Sequence, residues 1–166
     1  MKKWFLLLPL LFLSALFACD RRARMAGLAE EHIRQSLEVP NSLAIQAVSD
    51  PDSAFGSGYL SPHEVNSLTA LLQKVNAVIM SRTKNMTEFN PDDHYVIDLA
   101  DRQMRALSDL RSMTGKSKGK GGWTGWKIKV DYSAKGSDGE RFRAERWIFF
   151  DKKGKNVTRS FELPLP

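Results

Sequence analysis

The pattern that most constrains the fold is a change of hydrophobic period after Gly122. In residues 126–134, apolar and polar side chains alternate, as in a strand that is buried on one side. Residues 141–150 and 157–163 form two further candidate strands, and the short turn sequences GSDG and DKKGKN separate the three. Strands joined by such short turns pair as antiparallel neighbours. The sequence therefore predicts a C-terminal meander of three antiparallel strands.

Three helices are predicted before the meander, because apolar residues recur there at helical spacing. They cover residues 25–38, 61–82 and 90–110, with a strand over Tyr95 to Leu99 as the alternative for the first half of the third. The second helix has the clearest start, since Ser61 can cap its first turn and Glu64 completes a capping box. For the third helix we expect Asn90 to be the capping residue.

These elements together predict the fold class. Residues 43–49 add a further strand, and residues 50–61 are expected to be a loop because Asp, Pro, Gly and Ser dominate them. We therefore expect an α+β domain over residues 25–166, with about three helices packed on one face of a three- to four-stranded antiparallel sheet. Residues 114–122 are expected to form a flexible loop. This order of elements resembles the curved-sheet NTF2-like and cystatin-like folds.

The first 18 residues have the features of a secretory signal peptide. Lys2 and Lys3 precede an apolar run that ends at Phe17. A membrane-spanning helix needs roughly 20 apolar residues, which is more than this run provides. We therefore expect residues 1–18 to be removed, so that the mature chain begins at Cys19.

Cys19 is the chain's only cysteine. A disulfide within the chain would need a second cysteine, and a catalytic thiol would need an ordered pocket, which the border of a signal peptide does not offer. The sequence Leu16-Phe17-Ala18-Cys19 resembles a bacterial lipobox, although Phe17 is bulkier than the usual residue there. The resemblance implies a diacylglycerol on the Cys19 sulfur and an acyl chain such as palmitate on its amine. Several acyl chains give a practically permanent membrane anchor.

The lipobox resemblance also implies a location in the bacterial cell envelope, facing the periplasm. In some bacteria, an Asp directly after the lipidated cysteine keeps a lipoprotein in the inner membrane. Asp20 therefore implies the inner membrane, and the outer membrane is the alternative. Residues 19–24, CDRRAR, would form a short basic tether. Residues 125–154 resemble the C-terminal hairpin of small, uncharacterised bacterial lipoproteins, a likeness that implies a fold and an envelope location but no chemistry.

Charge is distributed unevenly along the mature chain. Residues 19–109 contain 9 basic and 13 acidic side chains, whereas residues 110–160 contain 14 basic and 5 acidic ones. This positive region has two interpretations, a solvated face of the sheet or a surface for an anionic partner such as lipid head groups. The candidate surface-binding residues here are Lys116, Lys118, Lys120 and Trp123. Nucleic acid would suit the same pattern, but an exported chain is not expected to meet it.

Trp147 and Phe149 complete the set of candidate surface-binding residues. In the second strand of the meander they lie on the face opposite Ile148. Either this strand is covered on both faces, or its second face is a surface for a partner.

Patterns for catalysis are absent from the sequence. It has no GxSxG, P-loop or dinucleotide-binding motif, and its three histidines lack the HExxH spacing. A metal-dependent hydrolase would have to bring His63 and His94 together at adjoining helix starts. We therefore predict no enzyme activity, no cofactor and no metal.

The sequence thus predicts a membrane-anchored, non-catalytic bacterial lipoprotein that acts as an interaction or binding module. Its partners would be the lipid bilayer, through acylated Cys19, and an anionic surface or another envelope protein, but not nucleic acid. One alternative is a small-ligand carrier with an NTF2-like pocket, which requires a concave apolar cavity. The other is the metal-dependent hydrolase.

Overall fold

The centre of the computed structural model is a five-stranded antiparallel sheet, formed within the residues that the structure describes, 7–56, 58–88, 90–114 and 121–166. The elements are α1 (Leu7–Ser36), β1 (Ala44–Val48), β2 (Asp52–Phe55), α2 (Pro62–Arg82), α3 (His94–Thr114), β3 (Trp123–Lys135), β4 (Arg141–Phe150) and β5 (Val157–Leu165). A 3₁₀ turn at Pro40–Ser42 joins α1 to β1. The α+β class is as predicted.

The strand order confirms the predicted meander. β3, β4 and β5 pair in chain order, with Ile128 opposite Ile148 and Ile148 opposite Ser160. β1 and β2 share the other edge of β3, where β2 pairs with its first residues and β1 with later ones. β2 corrects the prediction that residues 50–61 form a loop. The free edge of β3 supplies its hydrogen-bond partners, and such tertiary context overrides a low strand propensity.

The predicted capping box is present at the start of α2. The backbone N–H of Glu64 donates to Ser61 Oγ over 3.2 Å, and the backbone N–H of Ser61 donates to Glu64 Oε2 over 2.7 Å. Two N–H groups that helix geometry leaves without partners are thereby satisfied. Local chemistry is enough to fix this helix start.

The start of α3 differs from the prediction. The side chain of Asn90 accepts a hydrogen bond from the N–H of Asp92, which forms a turn before the helix. Asp93 Oδ1 accepts from the N–H of Val96 over 3.2 Å, so Asp93 supplies the cap. Two capping residues follow one another closely here, and the second one starts the helix.

One face of the sheet packs against α1. The helix contributes Met25, Ala29 and Ile33, which recur every fourth residue and are fully buried. Their partners are alternate residues of β3 and β4, Ile128, Val130, Tyr132, Ala134, Ala144, Ile148 and Phe150. Full burial of a side chain such as Ile33 contributes about 1.5–3 kcal/mol. α1 is therefore part of the domain core.

The other face packs against α2 and α3, so helices cover both faces of the sheet and not one as predicted. Trp147 and Phe149 lie in this second core and are 5% and 0% exposed. The Phe149 ring is 6.1 Å from that of Phe161 and 5.1 Å from that of Tyr59. Trp147 and Phe149 are therefore core residues, which removes them from the candidate binding surface.

α1 extends further towards the N-terminus than the predicted helix of residues 25–38. It is continuous from Leu7, so residues 19–24 belong to the helix and do not form a separate tether. No helix in the described part of the chain is both long and apolar enough to cross a membrane. The helix instead passes directly from the predicted signal segment into the domain core.

The turn between β4 and β5 contacts the first part of α1 that enters the core. Arg24 Nε donates to the carbonyl oxygen of Gly154 over 3.5 Å. Gly154 has a φ of 63°, and a Cβ added there would lie 3.1 Å from Met25 Sδ. The close approach of the helix therefore favours glycine in this turn.

Replacing Phe149 tests its place in the core. Phe149→Ala is expected to lower the free energy of unfolding by about 3–5 kcal/mol, because it leaves a cavity between the sheet and the two helices. Phe55→Ala is the control, since Phe55 is 57% exposed on β2, and its effect should stay within about 0.5 kcal/mol. Urea unfolding followed by circular dichroism measures both. Equal, small effects would contradict the core assignment.

Candidate functional site

A groove lined by charged side chains opens between the end of α1 and α3, over β4 and β5. Its volume is about 490 Å³. α3 forms one wall, the end of α1 and the β3–β4 turn form the other, and β4 and β5 form the floor. The charged residues that line it are Glu38, Asp98, Asp101, Arg102, Arg105, Asp109, Lys135, Asp138, Arg146 and Glu162. We call it the charged groove.

Glu162 on β5 lies at the centre of the floor. Its Oε1 accepts a hydrogen bond from Arg102 Nη1 and its Oε2 accepts one from Arg146 Nη2, each over 2.7 Å. The hydroxyl of Tyr132 also donates to Oε2. The side chains of Glu162, Arg102 and Arg146 are 19%, 15% and 14% exposed. Donors from α3, β3 and β4 therefore converge on one mostly buried carboxylate.

This arrangement keeps Glu162 ionised at neutral pH. Burial alone would raise the pKa of Glu162, but the charges of Arg146 and Arg102 and the hydrogen bonds outweigh it and hold the pKa below its ordinary value. Burial, followed by the charge of Glu162, raises the pKa of the Tyr132 phenol far above its ordinary value. Near neutral pH, Glu162 therefore accepts hydrogen bonds only, and Tyr132 stays a neutral donor.

Contacts on two sides fix Arg102. Its Nε donates to Asp98, one helical turn earlier in α3, over 3.0 Å. Its guanidinium lies 3.2 Å from the centre of the Phe142 ring on β4. A planar guanidinium can stack on a ring and pair with carboxylates at once, which a lysine cannot do. Arg102 therefore holds α3 against the edge of the sheet.

Arg146 and His32 connect the groove floor to α1. Arg146 Nη1 donates to Ser36 Oγ over 2.9 Å, and its Nε is buried without a hydrogen-bond partner among the described residues. His32 Nε2 lies 2.8 Å from Ser160 Oγ. Burial and, secondarily, the charge of Arg146 lower the pKa of His32. The position of α1 is thus coupled to the charges under the groove.

The groove lining has an excess of negative charge. Six carboxylates face four cationic side chains. Among the cations, Arg105 pairs with Asp101 over 2.5 Å, Arg102 pairs with both Asp98 and Glu162, and Arg146 pairs with Glu162. The remaining acids make the opening attractive to cationic groups.

The predicted surface residues do not lie in this groove. Trp123 is 38% exposed at the opposite end of the sheet, while Trp147 and Phe149 are buried beneath α2 and α3. Cys19 lies in α1, two positions before Arg21. The predicted residues Lys116, Lys118 and Lys120 lie outside the described residues.

The two histidines of the hydrolase hypothesis are far apart. α2 and α3 are antiparallel, and Arg82 at the end of α2 pairs with Asp93 just before α3 over 3.4 Å. His94 is therefore near the end of α2, whereas His63 is in its first turn, 19 residues and about 28 Å from Arg82. Within the described residues, no group of three or more His, Cys, Asp or Glu is placed to hold a metal ion.

The ion cluster of Glu162, Arg102 and Arg146 was missed at the sequence level. One signal was available, because Arg146 shares a strand face with the buried Ala144 and Ile148. A charged residue among buried neighbours indicates a buried ion pair. Its partners could not be named, since Arg102 is 60 positions from Glu162.

Fold and groove together define an α+β domain whose sheet is covered by helices on both faces and carries an open, charged groove. Comparison of the chain with protein-family models, with curated proteins and with solved structures finds no match. The lipoprotein identity and the likeness to NTF2-like and cystatin-like folds therefore stay predictions from the sequence.

Neutralising Glu162 tests the ion cluster. Glu162→Gln leaves two mostly buried guanidinium groups without their counter-charge, and we expect the free energy of unfolding at pH 7 to fall by about 3 kcal/mol. Glu140→Gln is the control, because Glu140 is exposed in the β3–β4 turn, and it should change stability by less than about 0.5 kcal/mol.

The pH dependence gives the same test a second readout. Because the folded-state pKa of Glu162 is depressed, its stabilisation is present above the ordinary value of 4.5 and is lost as the pH falls through the folded-state pKa. The gap between wild type and Glu162→Gln should therefore narrow below pH 4.5. A gap that stays constant down to pH 3 would contradict the assigned role.

Proposed function

We propose that this chain is a membrane-anchored bacterial lipoprotein whose α+β domain is a non-catalytic binding module at the cell envelope. The observation that carries the proposal is the position of the charged groove relative to α1. Cys19 and Ser36 belong to the same helix, 17 residues and about 26 Å apart. Ser36 lines the groove. An acylated Cys19 would thus hold the groove away from the bilayer and open to the periplasm.

The chemistry of the groove supports binding over catalysis. The Glu162 carboxylate is engaged by three donors and stays charged, so it is a poor proton carrier. Exposed acids around it attract a cationic partner, and the paired arginines keep the floor rigid. A buried, charge-paired ion cluster beneath an open acidic surface is suited to recognising charge.

A small-ligand carrier is the second candidate function, in a modified form. The volume of the groove, about 490 Å³, suits a small molecule. Its lining is charged, however, and the more apolar cavity beside Tyr95 and Pro164 measures about 130 Å³. A carried ligand would therefore be polar or cationic, and the apolar ligand of an NTF2-like pocket is not supported.

Cys19→Ala tests the anchor. We expect the variant to lose acylation and cleavage after Ala18, because the sulfur is the site of lipid attachment and the lipid precedes cleavage. Phe17→Ala is the matched control, since it brings the motif closer to the usual lipobox and should mature normally. Mass spectrometry of the N-terminal peptide gives the readout. Acylation at another residue, or normal maturation of Cys19→Ala, would contradict the proposal.

Site-specific crosslinking tests the groove. A photoreactive residue at Asp101 on one wall, or at Asp138 on the other, should give the same adduct with an envelope component in living cells. Gln73 is the control position, because it is exposed on α2 away from the groove. The binding role would be contradicted by the absence of adducts at both groove positions, or by the same adduct at Gln73.

A further inference from the structure

Cationic side chains surround the end of the sheet where α1 enters the core. Arg21 lies over the Trp126 ring at 4.7 Å, and the carbonyl oxygen of Lys152 accepts a hydrogen bond from Trp126 Nε1 over 3.0 Å. Arg22 and Arg24 come from the same turn of α1. Lys153 and Lys155 come from the same β4–β5 turn as Lys152 and are exposed. Two segments that are distant in sequence therefore build one basic surface.

Two exposed aromatic side chains lie at this same end. Phe55 on β2 is paired with Trp123 on β3, and they are 57% and 38% exposed. The ammonium group of Lys152 lies 5.5 Å from the Trp123 ring centre, and Trp123 contacts Trp126 edge-on at 5.6 Å. Aromatic rings beside lysines are typical of protein surfaces at the boundary between lipid and water.

The acids at this end do not cancel the positive charge. Asp50 pairs with Arg22 over 3.0 Å. Asp52 lies 3.3 Å from Lys127, which also pairs with Glu64. Asp151 accepts hydrogen bonds from the backbone of Lys155 and the side chain of Asn156, and so organises the turn. Arg21 and Lys152 remain as cations beside aromatic rings, Arg21 over Trp126 and Lys152 near the exposed Trp123.

We propose that this end of the domain is a membrane-contact face, which binds the anionic head groups of the bilayer and places Trp123 and Phe55 at the lipid–water interface. The inference rests on the proposed anchor. An acylated Cys19 would lie close to this face, because it precedes Arg21 by two positions, about 3 Å along α1. Tethering at that distance gives the face a high effective concentration of lipid head groups. A bilayer is therefore favoured over a diffusing anionic partner.

This face restricts the orientation of the domain on the membrane. A lipid anchor alone would allow the domain to tilt freely about Cys19. Binding through both Arg21, which lies over Trp126, and Lys152, which lies near Trp123, holds the sheet upright, with the charged groove at the far end. Each lysine near an anionic surface strengthens the association roughly fivefold. Three lysines therefore account for a factor of roughly 100.

Quenching of tryptophan fluorescence by brominated lipid tests the membrane-contact face. The full mature protein is reconstituted into vesicles of brominated phosphatidylcholine, with or without phosphatidylglycerol, after mass spectrometry has verified the acyl chains on Cys19. We expect quenching in the vesicles that contain phosphatidylglycerol, and Trp123→Phe should remove most of it. Quenching should also be weaker at high salt, because the attraction is electrostatic.

Matched triple variants distinguish the effect of the membrane-contact face from the effect of net charge. Lys152→Ser, Lys153→Ser and Lys155→Ser together should abolish the quenching that depends on phosphatidylglycerol. Lys74→Ser, Lys84→Ser and Arg143→Ser remove equal charge from exposed positions elsewhere and should leave it intact. Equal loss in both triple variants, or no quenching of acylated wild type, would overturn the membrane-contact face while leaving the anchor in place. A protein without acyl chains would instead overturn the proposed function.

Discussion

The packing of α1 against the sheet is the interaction on which the rest of the structure depends. Met25, Ala29 and Ile33 are fully buried against β3 and β4, so the segment that follows the predicted lipid site belongs to the core. A helix that is packed in a core holds its two ends at a fixed distance and orientation, whereas a flexible linker does not. Its first buried turn contacts the basic end of the sheet, and its last turn lines the charged groove.

The Glu162 cluster connects the layers at the groove end. Arg102 extends from α3, Arg146 lies on β4 and also donates to Ser36 of α1, and both pair with one carboxylate. Buried charges are costly unless they are paired, so α1, α3, β4 and β5 must keep one relative arrangement. The same cluster that stabilises the fold therefore gives the groove a fixed floor. The basic surface lies where α1 enters the core, and the charged groove lies where α1 ends.

Features that depend on residues close together in the sequence could be predicted, whereas features that depend on distant residues could not. The meander and the α2 capping box depend on neighbouring residues, and both were predicted. The Asp, Pro, Gly and Ser content around β2 predicts a loop, whereas its strand pairing depends on β3 residues such as Trp123 that are distant in sequence. The pattern around Trp147 allowed two interpretations, and only the packing of α2 and α3 decided between them. The groove was not predicted, since it depends on Arg102 meeting Glu162.

Hydrogen–deuterium exchange of the mature protein tests the central claim, that α1 would join the proposed membrane anchor rigidly to the domain. Backbone amides that are held in a packed helix open only with the surrounding core. We predict that the amides of residues 25–36, which begin at the first buried turn of α1, exchange as slowly as those of β3 and β4. Exchange of residues 25–28 at the rate of an unfolded chain, while β3 stays protected, would show a flexible tether and would contradict the account.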